Sequence, residues 1–133
     1  MASTYKIGDK VSLTKAFSEE EVLHFSRLST DTNPIHLDHE FASASVFGSR
    51  IVHGMLAAGL FSALLGRELP GAGTIYLGQQ LSFKKPIFID EEVTASVEII
   101  KIREDKLIIT LETLCVNSKG EIVIEGEAVV KAT

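Results

Sequence analysis

The chain has 133 residues, of which 45% are hydrophobic and 23% are charged, and its formal net charge at pH 7 is −5. This size and composition predict one globular domain, residues 1–133, with a proper hydrophobic core. The acidic balance, without a basic stripe carrying interleaved aromatic residues, argues against nucleic acid as a partner. A single cysteine permits no disulfide within the chain and suits a reducing compartment. Without a signal-like apolar start or a bilayer-spanning run, the sequence predicts a soluble cytoplasmic protein with no membrane partner.

The first predicted element is a helix. Ser18 and the acidic residue three positions later, Glu21, have the spacing of a capping box, which marks a helix start. We expect this helix to run to about Leu28 with Val22, Phe25 and Leu28 facing inward.

A short segment with unusual chemistry follows. Pro34 disfavours helical geometry at Asn33, so the chain is expected to be extended or turned there. Asp38 is placed to cap a second short helix through Phe41 and Ala44.

The next element is a central helix. The stretch HGMLAAGLFSALLG, from His53 to Gly66, is apolar on all sides rather than along one stripe. That pattern predicts a helix that is covered all round.

Beyond residue 73 the period changes to two, which is typical of strands. The turns at Glu104-Asp105 and at residues 118–120 are short enough for antiparallel hairpins. The layout is therefore α+β, with a long antiparallel sheet wrapped around the helix. Because such a sheet has edge strands that invite pairing, we expect a homodimer. The predicted strands cover Ile75–Phe83, Val93–Ile99, Leu107–Asn117 and Glu121–Lys131, the last with Ile122, Ile124, Ala128 and Val130 on one face.

The stretch STDTNPIHLDHEF, residues 29–41, concentrates groups that exchange protons beside one rigid proline. It fits a capped loop, a metal site, or an acid–base pair held in a fixed geometry. A metal site would use His36, Asp38 and His39, but neighbours this close along one chain rarely converge on a tetrahedral ion. We therefore predict no metal.

Three landmarks identify a resemblance that covers nearly the whole chain. The first is Asp31-x-Asn33-Pro34-x-His36, the second is the segment IVHGM at residues 51–55, and the third is residues 73–95. The chain resembles the hotdog-fold hydratases of the MaoC-like group, and within it the (R)-specific enoyl-CoA hydratases that feed polyhydroxyalkanoate synthesis. The family pattern often has glycine just before the aspartate, where this chain has Thr30.

The resemblance implies catalytic roles for three residues. Asp31 and His36 would hold the catalytic water, and Asn33 and Pro34 would fix the loop that carries them. Gly54 opens the central helix, where backbone amides are free and no Cβ obstructs a ligand. The resemblance makes the Gly54 amide the oxyanion donor toward the thioester carbonyl.

Other residues are candidates for substrate contact. Four residues of the central helix lie one to three turns beyond Gly54 and would line the acyl chain. Three basic residues near the landmarks would meet carrier phosphate. The acyl-pocket candidates are Ala58, Phe61, Ser62 and Leu65, and the phosphate candidates are Arg50, Lys84 and Lys85.

The predicted activity is reversible syn hydration of trans-2-enoyl-CoA to (R)-3-hydroxyacyl-CoA, with the CoA thioester as substrate and no cofactor. A 3-hydroxyacyl-carrier-protein dehydratase of fatty-acid synthesis remains an alternative. Two further alternatives are a hotdog thioesterase and a non-catalytic acyl-CoA binding module. The central helix has no Asp or Glu from Gly54 to Gly66, which counts against the thioesterase.

Overall fold

The computed structural model describes residues 4–133. The chain forms five strands and four helices in this range. Among these helices, none is long and apolar enough to cross a membrane. In chain order the elements are β1 (Lys10–Ala16), α1 (Glu19–Ser29), α2 (Pro34–Leu37), α3 (His39–Ser43), α4 (Gly54–Arg67), β2 (Ile75–Phe83), β3 (Glu92–Arg103), β4 (Ile108–Asn117) and β5 (Ile122–Lys131).

The five strands form one antiparallel sheet in the order β1-β3-β4-β5-β2. Alternate residues of β3 and β4 point to one face and are buried there. The core also contains Leu60, Phe61, Leu64 and Leu65 of α4, which are 7% exposed or less. A central helix against an antiparallel sheet confirms the predicted α+β layout.

The strand β1 was not predicted. Its sequence, KVSLTKA, alternates polar and apolar residues, but it is short and precedes the strong helix signal at Ser18. It pairs with β3 from Lys10↔Glu98 to Ala16↔Glu92 and forms one edge of the sheet. The other edge is β2, so the two strands with a free edge are the first and second along the chain.

Helix α1 begins with the predicted capping box. The Glu21 amide donates to Ser18 Oγ, and the Ser18 amide donates to the Glu21 carboxylate. Val22 is buried and Phe25 is half-buried, as predicted. The prediction for Leu28 is wrong, because this side chain is 75% exposed. Leu28 follows Val22 by six residues, which is not a whole number of helical turns, so its side chain lies off the buried face of the helix.

Helix α4 also differs from the prediction, because it is not covered all round within one chain. Leu60 and Leu64 face the core, but Met55 is 61% exposed. The other exposed positions between Gly54 and Gly66 follow Met55 at helical spacing and are small. These exposed positions are Gly59, Ser62 and Gly66.

The last strand contains a bulge that changes which residues face inward. Cys115 pairs with Ile124 and Val116 pairs with Ile122, so Val123 is an additional residue on β5. Ile122, which was predicted to face inward, is 40% exposed, whereas Val123 is fully buried. A bulge of this kind cannot be read from alternation alone, because it breaks the period of two.

The outer face of the sheet places like charges opposite one another. Glu112 on β4 pairs directly with Glu98 on β3 and with Glu127 on β5. We expect Glu112→Lys to raise the free energy of unfolding by about 1 kcal/mol, because two repulsive pairs become attractive. The matched variant Glu112→Gln, which only removes the repulsion, should give about half that gain. Urea unfolding measures both, and a loss of stability in both variants would contradict this interpretation.

Candidate active site

The loop after α1 is built from short side chains that bond to nearby backbone. Asp31 Oδ1 accepts from the Asn33 amide at 3.2 Å. Asn33 Oδ1 accepts from the Ile35 amide at 3.1 Å and caps α2, which has Pro34 at its first position. The prediction that the chain is extended or turned rather than helical at Asn33 is confirmed, because its φ is −53° and its ψ is 125°. These bonds hold the Asp31 carboxylate in a turn of fixed shape.

Thr30 explains why glycine suits the position before this aspartate. It ends α1 in the left-handed conformation, with φ 65° and ψ 9°. A β-branched residue is unfavourable there, whereas glycine adopts this conformation without strain. The local turn is formed despite the departure from the family pattern.

We expect Thr30→Gly to raise the free energy of unfolding by about 0.5–1 kcal/mol, since the relief of left-handed strain exceeds the added entropy of the unfolded chain. Thr30→Ala, which keeps a Cβ, is the matched control and should gain less. Thermal or urea unfolding provides the comparison. If glycine lowered stability instead, the Thr30 side chain would be contributing more than its backbone strain costs.

His36 is the second proton-exchanging group of the loop. Its side chain is buried, with 7% exposure, and its Nδ1 lies 2.7 Å from the main-chain oxygen of Ile51. Because a carbonyl can only accept, Nδ1 must carry the hydrogen. In the neutral ring Nε2 is therefore unprotonated and free to interact with a water or substrate.

Asp31 and His36 face the same space. A carboxylate oxygen of Asp31 and a ring nitrogen of His36 lie within 4.8 Å of each other. Two groups that each hydrogen-bond one intervening water at about 2.8 Å would be separated by a similar distance. The geometry therefore suits a single water held between a carboxylate and an imidazole.

Gly54 is the first residue of α4 and borders the same space as Asp31 and His36. The first amides of a helix have no acceptor within the helix, and the side chain of His53, the N-cap, makes no capping bond. A Cβ on Gly54 would lie 2.5 Å from the Phe83 ring. The absence of a side chain thus leaves room for Phe83 and for the approach of a ligand oxygen.

His53 was not predicted to have its own role, although it stands next to Gly54. It is 2% exposed, and its ring stacks on His36 with the ring centroids 3.8 Å apart and an interplanar angle of 24°. Its Nε2 lies 3.0 Å from Ser26 Oγ and 3.1 Å from the main-chain oxygen of Asp31. The apolar helix pattern concealed this residue, because its contacts with Ser26, Asp31 and His36 join positions that are far apart in sequence.

The metal trio considered from the sequence is not the one that the fold assembles. Asp38 caps α3 by accepting from the Phe41 amide, as predicted, and His39 is exposed. The described residues instead bring Asp31, His36 and His53 within 4.8 Å of one another. His36 Nδ1 and His53 Nε2 each lie close to a main-chain oxygen, so these two nitrogens carry hydrogens and offer no lone pair to a metal ion.

Burial of His53 predicts a pH dependence of stability. Burial is the main cause that lowers the pKa of His53 below its ordinary 6.5. The unfolded chain therefore binds this proton at a higher pH than the folded chain, and stability declines as the pH falls below about 6.5. The pKa values of Glu19, Glu21 and Glu121 are lowered from 4.5 by hydrogen bonds to basic partners, so their contribution is lost only below about 4.5.

Unfolding free energies measured across both pH ranges test this assignment. His53→Gln should abolish the decline that begins near pH 6.5 and leave the acidic decline in place. The exposed-site variant His24→Gln should keep both. An unchanged upper decline in His53→Gln would show that another group causes it.

A cavity of about 390 Å³ contains the predicted catalytic groups. Asp31, His36 and Gly54 line it, and Lys84 and Lys85 lie on its wall. Both lysine side chains are about half exposed and are paired with Glu125 and Glu121 at 3.5 and 2.5 Å. Arg50 is not among the lining residues and instead pairs with Glu19 at 2.8 Å.

A second cavity, of about 440 Å³, lies between α4 and β2. Of the acyl-pocket candidates, Ala58 and Ser62 line it. Phe61 and Leu65 line neither cavity and are buried in the core, with 0% and 1% exposure. Met55 borders both cavities and marks where they adjoin.

The sheet and the central helix define a hotdog-fold protein, in which the Asp31 carboxylate, the His36 imidazole and the first residue of α4 lie at one cavity. The chain belongs to the MaoC-like family: residues 3–118 match the model of the MaoC like domain. It is 53% identical to the (R)-specific enoyl-CoA hydratase of Aeromonas caviae, over 98% of this chain and 97% of that protein.

The chain is also similar to a solved hydratase structure and to an enzyme that acts on carrier-protein thioesters. The solved structure of the A. caviae (R)-hydratase involved in PHA biosynthesis superposes with a TM-score of 0.97 at 52% identity, covering 99% of this chain and 100% of that chain. A mitochondrial 3-hydroxyacyl-(acyl-carrier-protein) dehydratase of Solanum lycopersicum is 40% identical, over 92% of this chain and 74% of that protein. The predicted hotdog fold and hydratase family are confirmed.

Proposed function

We propose that the protein is an (R)-specific enoyl-CoA hydratase, a hydro-lyase that reversibly adds water to trans-2-enoyl-CoA with syn geometry. The observation that carries this proposal is that the Asp31 carboxylate and the His36 ring, within 4.8 Å of each other, line a cavity that Gly54 also lines. The 53% identity to a hydratase of this specificity supports it. The product would supply monomers for polyhydroxyalkanoate synthesis or serve fatty-acid metabolism.

The proposed reaction uses the Asp31–His36 pair for proton transfer and the Gly54 amide to stabilise charge. Asp31 removes a proton from the water, whose oxygen then bonds to C3 of the substrate. Electron density from the double bond moves onto the thioester oxygen, which the Gly54 amide stabilises. A proton from the Asp31–His36 pair reaches C2, so the two groups add the elements of one water to one face. These protein groups require no metal or cofactor beyond the CoA of the substrate.

The phosphates of coenzyme A would meet Lys84 and Lys85. Both lysines lie at the same cavity as the catalytic groups, and their ion pairs are at the surface, where such pairs contribute little. Exchange of a carboxylate partner for a substrate phosphate would therefore require little free energy. Arg50 is a weaker candidate, because it lies outside the lining of this cavity and is paired with Glu19.

The carrier-protein dehydratase keeps the same chemistry and is the second candidate, which the 40% identity to such an enzyme favours. A thioesterase lacks support, because α4 offers no carboxylate in its sequence GMLAAGLFSALLGR. A non-catalytic binding module would not need both Asp31 and His36 at one cavity.

A homodimer and a cytoplasmic location are part of the proposal. Strand β2 forms a free edge of the sheet, and its residues Ile75, Tyr76 and Leu77 are 40–52% exposed. The exposed positions Met55, Gly59 and Ser62 of α4 face β2 across the second cavity. Pairing of a second copy on this surface would cover both. The single cysteine of the chain, Cys115, is free and is consistent with a reducing compartment. Sedimentation of the purified protein tests the dimer.

The activity test is to mix the protein with crotonyl-CoA and follow the loss of the conjugated thioester absorbance. Rapid loss is expected. A competition with the corresponding enoyl-carrier-protein distinguishes the two candidates, since the hydratase should prefer the CoA substrate. Turnover of the carrier-protein substrate alone would favour the dehydratase, and inactivity toward both would contradict the proposal.

A further inference from the structure

We propose that His53 is a positioning residue that holds the Asp31 main chain and the His36 ring at a fixed separation. This inference rests on the proposed function, because the separation matters only if the two groups share one reacting water. His53 does not need to contact the substrate for this role. His53 borders the 390 Å³ cavity but is only 2% exposed, and it contacts the Asp31 main chain and the His36 ring directly.

The hydrogen bonds of His53 determine its tautomer. Its Nε2 lies 3.1 Å from the main-chain oxygen of Asp31, which can only accept, so Nε2 must carry the hydrogen. Ser26 Oγ lies 3.0 Å from the same nitrogen and links it to α1. The Nε2–H donor thus ties the backbone of the Asp31 loop to the start of α4.

The ring of His53 supports His36. The two rings stack with centroids 3.8 Å apart, and Phe25 contacts His53 edge-on with centroids 4.8 Å apart. Burial, with the neighbouring His36 as a smaller cause, lowers the pKa of His53 and favours its neutral form. The bond of His36 Nδ1 to the main-chain oxygen of Ile51 fixes the rotation of the His36 ring.

One polar atom of His53 is unpaired. Its Nδ1 is buried and has no hydrogen-bond partner within residues 4–133. A buried polar atom without a partner is unfavourable. If this side chain only packed against its neighbours, an apolar ring would do so without that free-energy penalty. The presence of histidine here is accounted for by the donor on Nε2 rather than by packing.

Two substitutions separate the donor from the ring. His53→Phe keeps an aromatic ring for the stack but loses the donor, whereas the Gln side chain can place an N–H near the position of Nε2 without a ring. We expect His53→Phe to lower kcat by roughly 10–100-fold with KM changed less than about threefold, since misplacement of about 1 Å has effects of this size. His53→Gln should recover at least about half of that loss on a logarithmic scale. His24→Gln on the exposed face of α1 is the matched control.

The outcomes decide the inference. A kcat in His53→Phe within about threefold of wild type, or a His53→Gln variant as impaired as His53→Phe, would overturn it. A rise in KM without loss of kcat would also overturn it, because that result indicates substrate contact. If the wild type is inactive toward all enoyl thioesters, the proposed function fails instead.

A second measurement needs no folded variant at position 53. The chain has four histidines, so the ring nitrogens can be resolved by NMR in the wild-type protein. We expect His53 to be neutral with the hydrogen on Nε2 and His36 to carry it on Nδ1 when neutral. A His53 with the hydrogen on Nδ1 could not donate to Asp31 and would overturn the inference whatever the activity.

Discussion

Asp31→Asn is expected to lower kcat for crotonyl-CoA by about 100-fold or more, because an amide cannot take the proton from the attacking water. The substitution should leave the loop intact. Asparagine keeps an Oδ1 that can accept from the Asn33 amide, as the carboxylate does at 3.2 Å. The loss should therefore appear in kcat rather than in stability or in KM.

A matched control is Asp38→Asn, which makes the same chemical change seven residues further along the chain. Asp38 is exposed and caps α3, and asparagine caps helices equally well. This variant should turn over crotonyl-CoA at the wild-type rate. Equal activity in Asp31→Asn and the wild type would show that the carboxylate is not the base, whatever the fold.

Gly54→Ala is expected to lower kcat by about 100–1,000-fold, the size of effect seen when an oxyanion donor is removed. The added methyl group would stand 2.5 Å from the Phe83 ring and would also obstruct approach to the helix-start amide. Steady-state kinetics on crotonyl-CoA, with thermal unfolding in parallel, measures both consequences.

Because the predicted clash involves Phe83, a second variant is needed to separate packing from catalysis. Phe83 is 52% exposed, so the double variant Gly54→Ala/Phe83→Leu should fold as stably as Phe83→Leu alone. Alanine keeps the amide N–H, so if its methyl group blocks the approach of the thioester oxygen to this donor, the double variant remains as inactive as Gly54→Ala. Recovery of activity in the double variant would mean that the glycine is needed only to accommodate the ring.

The sequence predicts those parts of the fold that depend on local patterns. The capping box at Ser18, the cap at Asp38 and the central helix are all encoded within a few residues, and each is found where it was expected. Strand β1 was missed because its alternation is short and its pairing with β3 joins residues far apart in sequence. The bulge at Val123 depends on the partner strand and has no local signal.

The same distinction applies to the site. The Asp31–His36 pair was predicted because both residues lie in one motif, and the structure places them at one cavity. His53 was overlooked because its contacts with Ser26, Asp31 and His36 connect residues 17–27 positions away. Of the four acyl-pocket candidates, Ala58 and Ser62 line a cavity, whereas Phe61 and Leu65 line no cavity and are buried in the core. Helical spacing alone does not distinguish these two surroundings.

Asp31 and His36 are proposed to add one water to one face of an enoyl thioester. Chiral analysis of the 3-hydroxybutyryl-CoA formed from crotonyl-CoA tests this reaction. A single (R) product, formed by the wild type and greatly diminished in Asp31→Asn, is the predicted result. An (S) or racemic product, or (R) product formed equally well by the variant, would contradict the account.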